Sequence, residues 1–479
     1  MRENRQLISN SLSLVLNRLT QSITTFILVA AIARIRGPYE LGQYTLAFSY
    51  YFVFMTLVSQ GFKTLFTREL SQKPSETPIY LISGTILQLL FGALGYIGLL
   101  ITIFILPYKL DTSMVCYVLG LMIFPFSLSN VTEAIFQAHE KMHLIALSTV
   151  PIYILRIFVI IFSMNQGNNI LKISGIIVIS EVIILIIQWI FAVQITSPIW
   201  SINLAFIKRI IRVAWTFMAI DGIPILKARM QILILSLLGG EVLVGIYGAL
   251  TQLMQPFEIV SSSLALAVFP KLSKAVELGK TSQRNLVETV IQILLSVALP
   301  FVVGVFFIGS DLLSLVYQNP EFSQVGLELR ILSLGIIFIA LIRPLSFVLV
   351  ANGLEKINLL EVMITTGCSV VISMILVSQY ELMGAALSVV VLQIIACGIY
   401  SYAVYVYVFP FSLWRALSRP LLISLLMLIL FVISRHLQLT IIWTLIGGTV
   451  AYVCLAAIFG LYAVGGPRLV WDQLSHKGK

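Results

Sequence analysis

Fourteen apolar stretches, most of them about as long as a bilayer core requires, alternate along this chain with short polar breaks. A hydrocarbon layer takes roughly 20 residues of helix to cross, and a helix satisfies its backbone polar groups without water or a neighbouring strand. The pattern therefore predicts an all-α polytopic membrane protein with about 14 transmembrane helices. The spans fall at 8–33, 41–61, 79–106, 114–136, 144–164 and 170–195, then at 211–238, 242–269, 286–308, 331–350, 357–377 and 382–406. Two more, 421–433 and 441–464, follow, and the first of these is short for a crossing unless it begins near Leu413.

Two landmarks recur. Gly37-x4-Gly42-x-Tyr44 between spans one and two returns as Gly240-x4-Gly245-x-Tyr247 between spans seven and eight, with Leu70-Ser71 and Leu272-Ser273 beyond them. Glu140-Lys141-x-x-Leu144 returns as Glu355-Lys356-x-x-Leu359. Offsets of about 203 and 215 residues, in the right order and at equivalent loops, argue for an internal duplication. Six spans per copy is an even number, so both copies enter the membrane in the same orientation. The expected organisation is a six-helix bundle at 1–200, a second at 201–410 facing it across a central cleft, and two added helices with a cytoplasmic tail at 411–479.

Composition removes the soluble alternatives: 59% of residues are hydrophobic and 10% charged, against about 25% charged in soluble domains. The four cysteines sit in or beside apolar runs, which suits helix packing rather than a disulfide framework. The apolar run after the charged Met1–Arg5 segment continues to about Ala33 without a convincing cleavage site, which reads as a retained first helix. With the N-terminus placed inside, 19 Lys and Arg fall in inside segments, 6 in outside loops and 5 within spans. That asymmetry predicts that both termini are cytoplasmic, and the expected location of this multi-pass protein is the inner (cytoplasmic) membrane.

Ionisable residues within spans cost roughly 2.5–3.5 kcal/mol each to insert, so each requires a partner, a cavity or a function. In span one, Asn10, Ser13, Asn17, Gln21 and Thr24 form a stripe at helical spacing with Arg18 beside it. The stripe either faces a wet cavity or hydrogen-bonds to neighbouring helices. Span seven carries Asp221-Gly222-Ile223-Pro224, then Lys227 and Arg229. On a regular helix the last two point about 200° apart, so both reach one cleft only if the Gly222–Pro224 region breaks the helix. Asp221 reads equally as an internal ion pair with Lys227 or Arg229 and as a proton or cation site that couples transport. Arg343 beside Pro344 and Arg156, with Glu181 on the following helix as its candidate partner, complete the embedded cations. Gln255 and Glu258 flank Pro256 on span eight, as cavity lining or as packing. Basic residues outnumber deep acids, so the cleft should attract anions such as phosphate. Gly92-x-x-Gly95-x-x-Gly98 lies mid-span with no strand before it and reads as helix packing. There is no Walker A loop and no His-Glu-x-x-His, so the sequence shows neither a metal site nor catalytic residues, and the expectation is not an enzyme.

Taken in order, the polar first helix with Asn17 and Arg18, Arg36-Gly37-Pro38 leading to Gly42-Gln43-Tyr44, Phe269-Pro270-x-Leu272-Ser273 and Ala351-Asn352-Gly353 carry a resemblance. Over essentially its whole length the chain resembles the polysaccharide transporter, or oligosaccharide flippase, family. That family's superfamily also holds the multidrug and toxin extrusion transporters and the lipid II flippases. The resemblance implies alternating-access transport of a polyprenyl-pyrophosphate-linked oligosaccharide, an O-antigen, capsule or exopolysaccharide repeat unit. It also implies that basic residues of helices one and seven hold the anionic headgroup, and that helices thirteen and fourteen shelter the lipid tail. The implied partners are this substrate, membrane lipid and polysaccharide polymerase or export proteins, with no nucleic acid and no cofactor beyond a coupling proton or Na+. A multidrug or cation-coupled exporter of the same fold is the alternative, and it would want an acidic cleft. A membrane glycosyltransferase or polymerase is a second, but the longest outer loops, such as 310–328, are too short for a catalytic domain. A purely structural scaffold gives no reason for five cations inside spans.

Overall fold

The computed structural model describes residues 2–59 and 61–463, with the side chains of residues 2–9, 215–217, 219–221, 224, 413, 415 and 455–463 outside the description. The described chain is almost entirely helical. The principal helices are α1 (Arg2–Val58), α2 (Phe62–Gln72), α3 (Thr85–Ile105), α4 (Leu110–Gly120), α5 (Ile123–Ala138), α6 (His143–Asn165) and α7 (Ile170–Ile195). They continue as α8 (Leu204–Glu277), α9 (Lys280–Tyr317), α10 (Gly326–Ala351), α11 (Glu355–Tyr407), α12 (Leu413–His436) and α13 (Ile441–Ala463).

Ten helical segments among the described residues are long and apolar enough to cross a membrane. Three of them, α1, α8 and α11, run for 57, 74 and 53 residues, more than twice the length of a crossing. Each is interrupted by one residue with non-helical backbone, Gly37, Gly240 or Glu381. Counted as two crossings each, and with α13 added, they bring the total to fourteen. Helix α12 begins at Leu413 and passes through Pro420, so the short thirteenth span reaches full length by extending backwards.

The duplication is written into the backbone. Gly37 (φ 79°, ψ −176°) and Gly240 (φ 75°, ψ −176°) adopt the same conformation, one that a residue with a Cβ rarely enters. The turn after α5 and the turn after α10 also match. Glu140 and Gly353 both have positive φ, and the Lys141 N–H to Phe136 carbonyl bond (2.7 Å) repeats as Leu354 N–H to Leu349 carbonyl (2.8 Å). Both are left-handed caps with the same 6→1 bond. Their structural offset is 213 residues, so Glu140 corresponds to Gly353. The Glu-Lys pairs that mark these loops in the sequence are two residues out of structural register.

The chain divides into two compact units. The first holds residues up to Gln252 together with Ser373–Leu382, and the second holds Leu253–Ile372 and the described residues from Met383 onward.

In the first unit the polar stripe of α1 splits by face. Asn10 Nδ2 donates to the Glu140 carbonyl (2.8 Å) and Asn17 Oδ1 accepts from Thr149 Oγ1 (2.7 Å), while Thr24 is buried. Seven-residue spacing puts these three on one seam, toward α6 and the turn before it. Other polar side chains satisfy one another inside: Ser59 Oγ donates to Gln88 (2.8 Å), Asn130 to Ser59 (2.8 Å) and Thr132 to Gln188 (2.8 Å). In a medium without water such pairing is what makes buried polar groups tolerable. A Cβ on Gly95 would come within 2.9 Å of Val58, and one on Gly98 within 3.0 Å of Phe54, so that glycine series seats α3 on α1.

Where the two glycine elbows meet, a polar chain joins them. Tyr39 and Gln43 donate to Asp111 (2.9 and 3.0 Å), Gln43 also donates to Thr112 (3.1 Å), and Thr112 donates to Glu241 (2.7 Å). Tyr108 links Tyr50 (2.8 Å) to Ser236 (2.7 Å).

In the second unit α9 lies against α10 and α12. Phe307 stacks on Phe431 (centroids 6.1 Å apart), and Gly304 and Gly448 make room for the Phe431 ring. Glu288 accepts from Arg284 Nε (2.9 Å) and from the Ser412 N–H (3.0 Å), which pins the start of α12. Buried Glu361 accepts from Thr365 (3.0 Å) and Tyr400 (3.1 Å).

Candidate functional site

The backbone of α8 stays helical through Gly222 and Pro224, and its one non-helical residue is Gly240. The break expected at Gly222–Pro224 is therefore absent. Gly222 serves packing instead: a Cβ there would lie 2.9 Å from Thr56 Cγ2, so its absence lets α8 settle against the second half of α1. Without a break, Lys227 and Arg229 point roughly 200° apart and do not converge. The side chain of Asp221 lies outside the described residues.

Arg229 is the embedded cation with the most distinctive surroundings. Its Cζ lies 4.4 Å from the centroid of the Phe52 ring, over the ring face. Its Nε is buried without a hydrogen-bond partner. Among the described residues it forms no ion pair. Phe52 belongs to an aromatic cluster on the second half of α1. Phe48 packs on Tyr44 (4.6 Å), Tyr51 (5.9 Å) and Phe52 (6.1 Å), and Tyr51 packs on Phe52 (5.1 Å). Tyr44 is within electrostatic reach of both Arg229 and Arg156.

Arg156 is placed differently. Its Nη1 donates to Glu181 (2.8 Å) and to Ser180 (3.4 Å), and its guanidinium lies 4.6 Å from the Tyr153 centroid. The sequence pairing of Arg156 with Glu181 is thus present, and it occupies part of the guanidinium's donor edge. Arg18 and Gln21 are exposed on the first half of α1, and Asn17 is engaged with Thr149.

Arg343, Gln255 and Glu258 belong to the second unit. Arg343 Nε is buried without a hydrogen-bond partner, and Glu258, exposed on α8, is the carboxylate within its electrostatic reach. Gln255 is half-buried. No cluster of three or more metal-ligating side chains occurs among the described residues.

The structure thus sets Arg229 on the aromatic cluster of α1 and Arg156 between Glu181 and Tyr153 in the first unit, and sets Arg343 with Glu258 in the second. The aromatic residues were missed by a search for charges. Their signal was present in the spacing, since Tyr44, Phe48 and Phe52 recur every four residues and so share one helix face.

A family model described as polysaccharide biosynthesis protein matches residues 7–276, more than half of the chain. The chain belongs to that family. A capsular polysaccharide biosynthesis protein, CapF, from Staphylococcus aureus is 23% identical over 385 residues, which cover 80% of this chain and 95% of CapF. Among solved structures, this family member is similar to the lipid II flippase MurJ in an inward closed conformation, with a TM-score of 0.75 at 17% identity. That match covers 95% of this chain and 99% of MurJ. An inward-facing multidrug resistance MATE transporter matches with a TM-score of 0.67 at 17% identity, covering 84% and 95% of the two chains. The chain therefore has the all-helical membrane fold shared by MurJ and the MATE transporter.

Proposed function

We propose that this protein carries a polyprenyl-diphosphate-linked oligosaccharide across the cytoplasmic membrane by alternating access, and that it works as a transporter rather than an enzyme. The observation that carries this reading is Arg229: a guanidinium inside a membrane span, held by an aromatic ring and forming no ion pair among the described residues. Such a cation is expensive to bury unless an anion visits it. Membership of a polysaccharide biosynthesis family on a transporter fold makes a diphosphate-linked sugar the fitting anion. Arg18 is a further proposed headgroup ligand, with Gln21 on the same exposed stretch of α1 as polar lining. Membrane lipid and the polymerase or export proteins of the same polysaccharide are the proposed partners.

Translocation of a fluorescent lipid-linked oligosaccharide in proteoliposomes tests this reading. Loss of one charged hydrogen-bonding partner is worth about 1.5–3 kcal/mol, so Arg229→Ala should slow translocation by about ten- to a hundredfold, and Arg18→Ala should slow it too, both at unchanged abundance. Full activity in both variants would remove the cationic-site mechanism. Asp221 is the proposed coupling group for a proton or Na+. Asp221→Asn should leave lipid binding intact and abolish the acceleration produced by an imposed ion gradient; unchanged gradient dependence sinks that role.

A further inference from the structure

An arginine inside a membrane meets two opposing demands. It must be stabilised against the apolar surroundings, yet a carboxylate that neutralised it would compete with any anionic ligand. Arg156 illustrates the first solution, with Glu181 and Ser180 on its donor edge. Arg229 shows the other. Its described neighbours are the face of Phe52, whose negative quadrupole attracts the cation, and Tyr44 within electrostatic reach. A ring holds a guanidinium without accepting its N–H groups two at a time as a carboxylate does. The buried, unpartnered Nε fits this arrangement, because the cation is fixed in place while a donor stays unsatisfied. Phe52 is itself fixed by Phe48 and Tyr51, and the Gly222–Thr56 approach one turn further along α1 fixes the spacing between the two helices.

We propose that Phe52 is the positioning residue of Arg229, a ring that holds the guanidinium in place without neutralising it and so leaves its N–H edge for the bidentate oxygens of a diphosphate. This rests on the transport reading above. It also sorts the two cations: Arg229 is a ligand for the headgroup and Arg156 is a structural partner of Glu181.

The test is a double-mutant cycle on the full chain in lipid nanodiscs, titrated with farnesyl diphosphate as the probe and farnesol as the uncharged control. Phe52→Leu keeps bulk and removes the quadrupole, so it should weaken farnesyl diphosphate binding by about two- to thirtyfold, the range of a cation–π contact. Phe52→Trp should keep the affinity. In an Arg229→Ala background Phe52→Leu should change it less than twofold, because nothing is left to position. An equal loss in both backgrounds, no loss from Phe52→Leu, or a loss from Phe52→Trp matching that from Phe52→Leu would overturn the positioning role while leaving the transport reading standing. Indifference of the wild-type protein to farnesyl diphosphate over farnesol would overturn the diphosphate reading itself, and the positioning role with it.

Discussion

Gly42→Ala and Gly245→Ala should each sharply lower the amount of folded protein recovered from membranes, although both positions are helical and alanine is the better helix former. Propensity alone predicts a gain of about 0.5–1 kcal/mol for such a change. The surroundings reverse the sign. A Cβ on Gly42 would overlap the carbonyl oxygen of Glu241, and one on Gly245 would overlap the carbonyl oxygen of Pro38. These are backbone atoms next to Gly240 and Gly37, so neither can turn aside as a side-chain tip could. Overpacking of this kind costs about 1–3 kcal/mol and more where the backbone must move. The two contacts are reciprocal: each repeat's glycine receives the carbonyl that follows the other repeat's elbow. Gly175→Ala and Gly367→Ala are the controls, because nothing lies within 4 Å of an added Cβ at either position. Thermal unfolding of detergent-solubilised protein, followed by fluorescence-detected size exclusion, should show the controls unchanged or slightly more stable and the two elbow variants reduced or absent. Wild-type stability in both elbow variants would refute the close approach of α1 and α8.

The fold was legible because lipid is a demanding solvent. A span must be long, apolar and helical, so the number of crossings and the duplication could be read from apolar runs and from Gly37 and Gly240. Register and interruption were less accessible. The Glu-Lys landmarks suggested an offset of 215 where the matched caps give 213, because a left-handed cap is defined by backbone angles, which Glu140 adopts despite its Cβ and Gly353 adopts without one. Gly222 and Pro224 looked like a break because their residue types often mark one, yet the helix continues and Gly222 meets the close approach of Thr56. For the site, sequence identified the embedded cations but could not say which were already paired. Glu181 could be named as a candidate for Arg156, but the ring that holds Arg229 depends on a tertiary neighbour, and the four-residue spacing of Tyr44, Phe48 and Phe52 shows a shared helix face without showing which charge that face serves.

Arg156→Met should damage the protein more than removing Arg156 and Glu181 together. The pair is largely shielded, with 11% and 15% of the two side chains exposed, and its N–O distance is 2.8 Å. Removing one member leaves the other charge buried without its partner, a loss of about 3–5 kcal/mol. Protonation of Glu181 would limit that penalty, since a neutral carboxyl is far easier to bury than a carboxylate. Arg156→Met with Glu181→Leu removes both charges, keeps similar volume and still leaves Tyr153 and Ser180 with neighbours. The double variant should therefore recover most of the wild-type unfolding temperature, and with it most of the binding of farnesyl diphosphate. A double variant that folds normally yet loses that binding would instead return Arg156 to the set of headgroup ligands, because a structural ion pair can be replaced by well-packed apolar side chains and a ligand cannot.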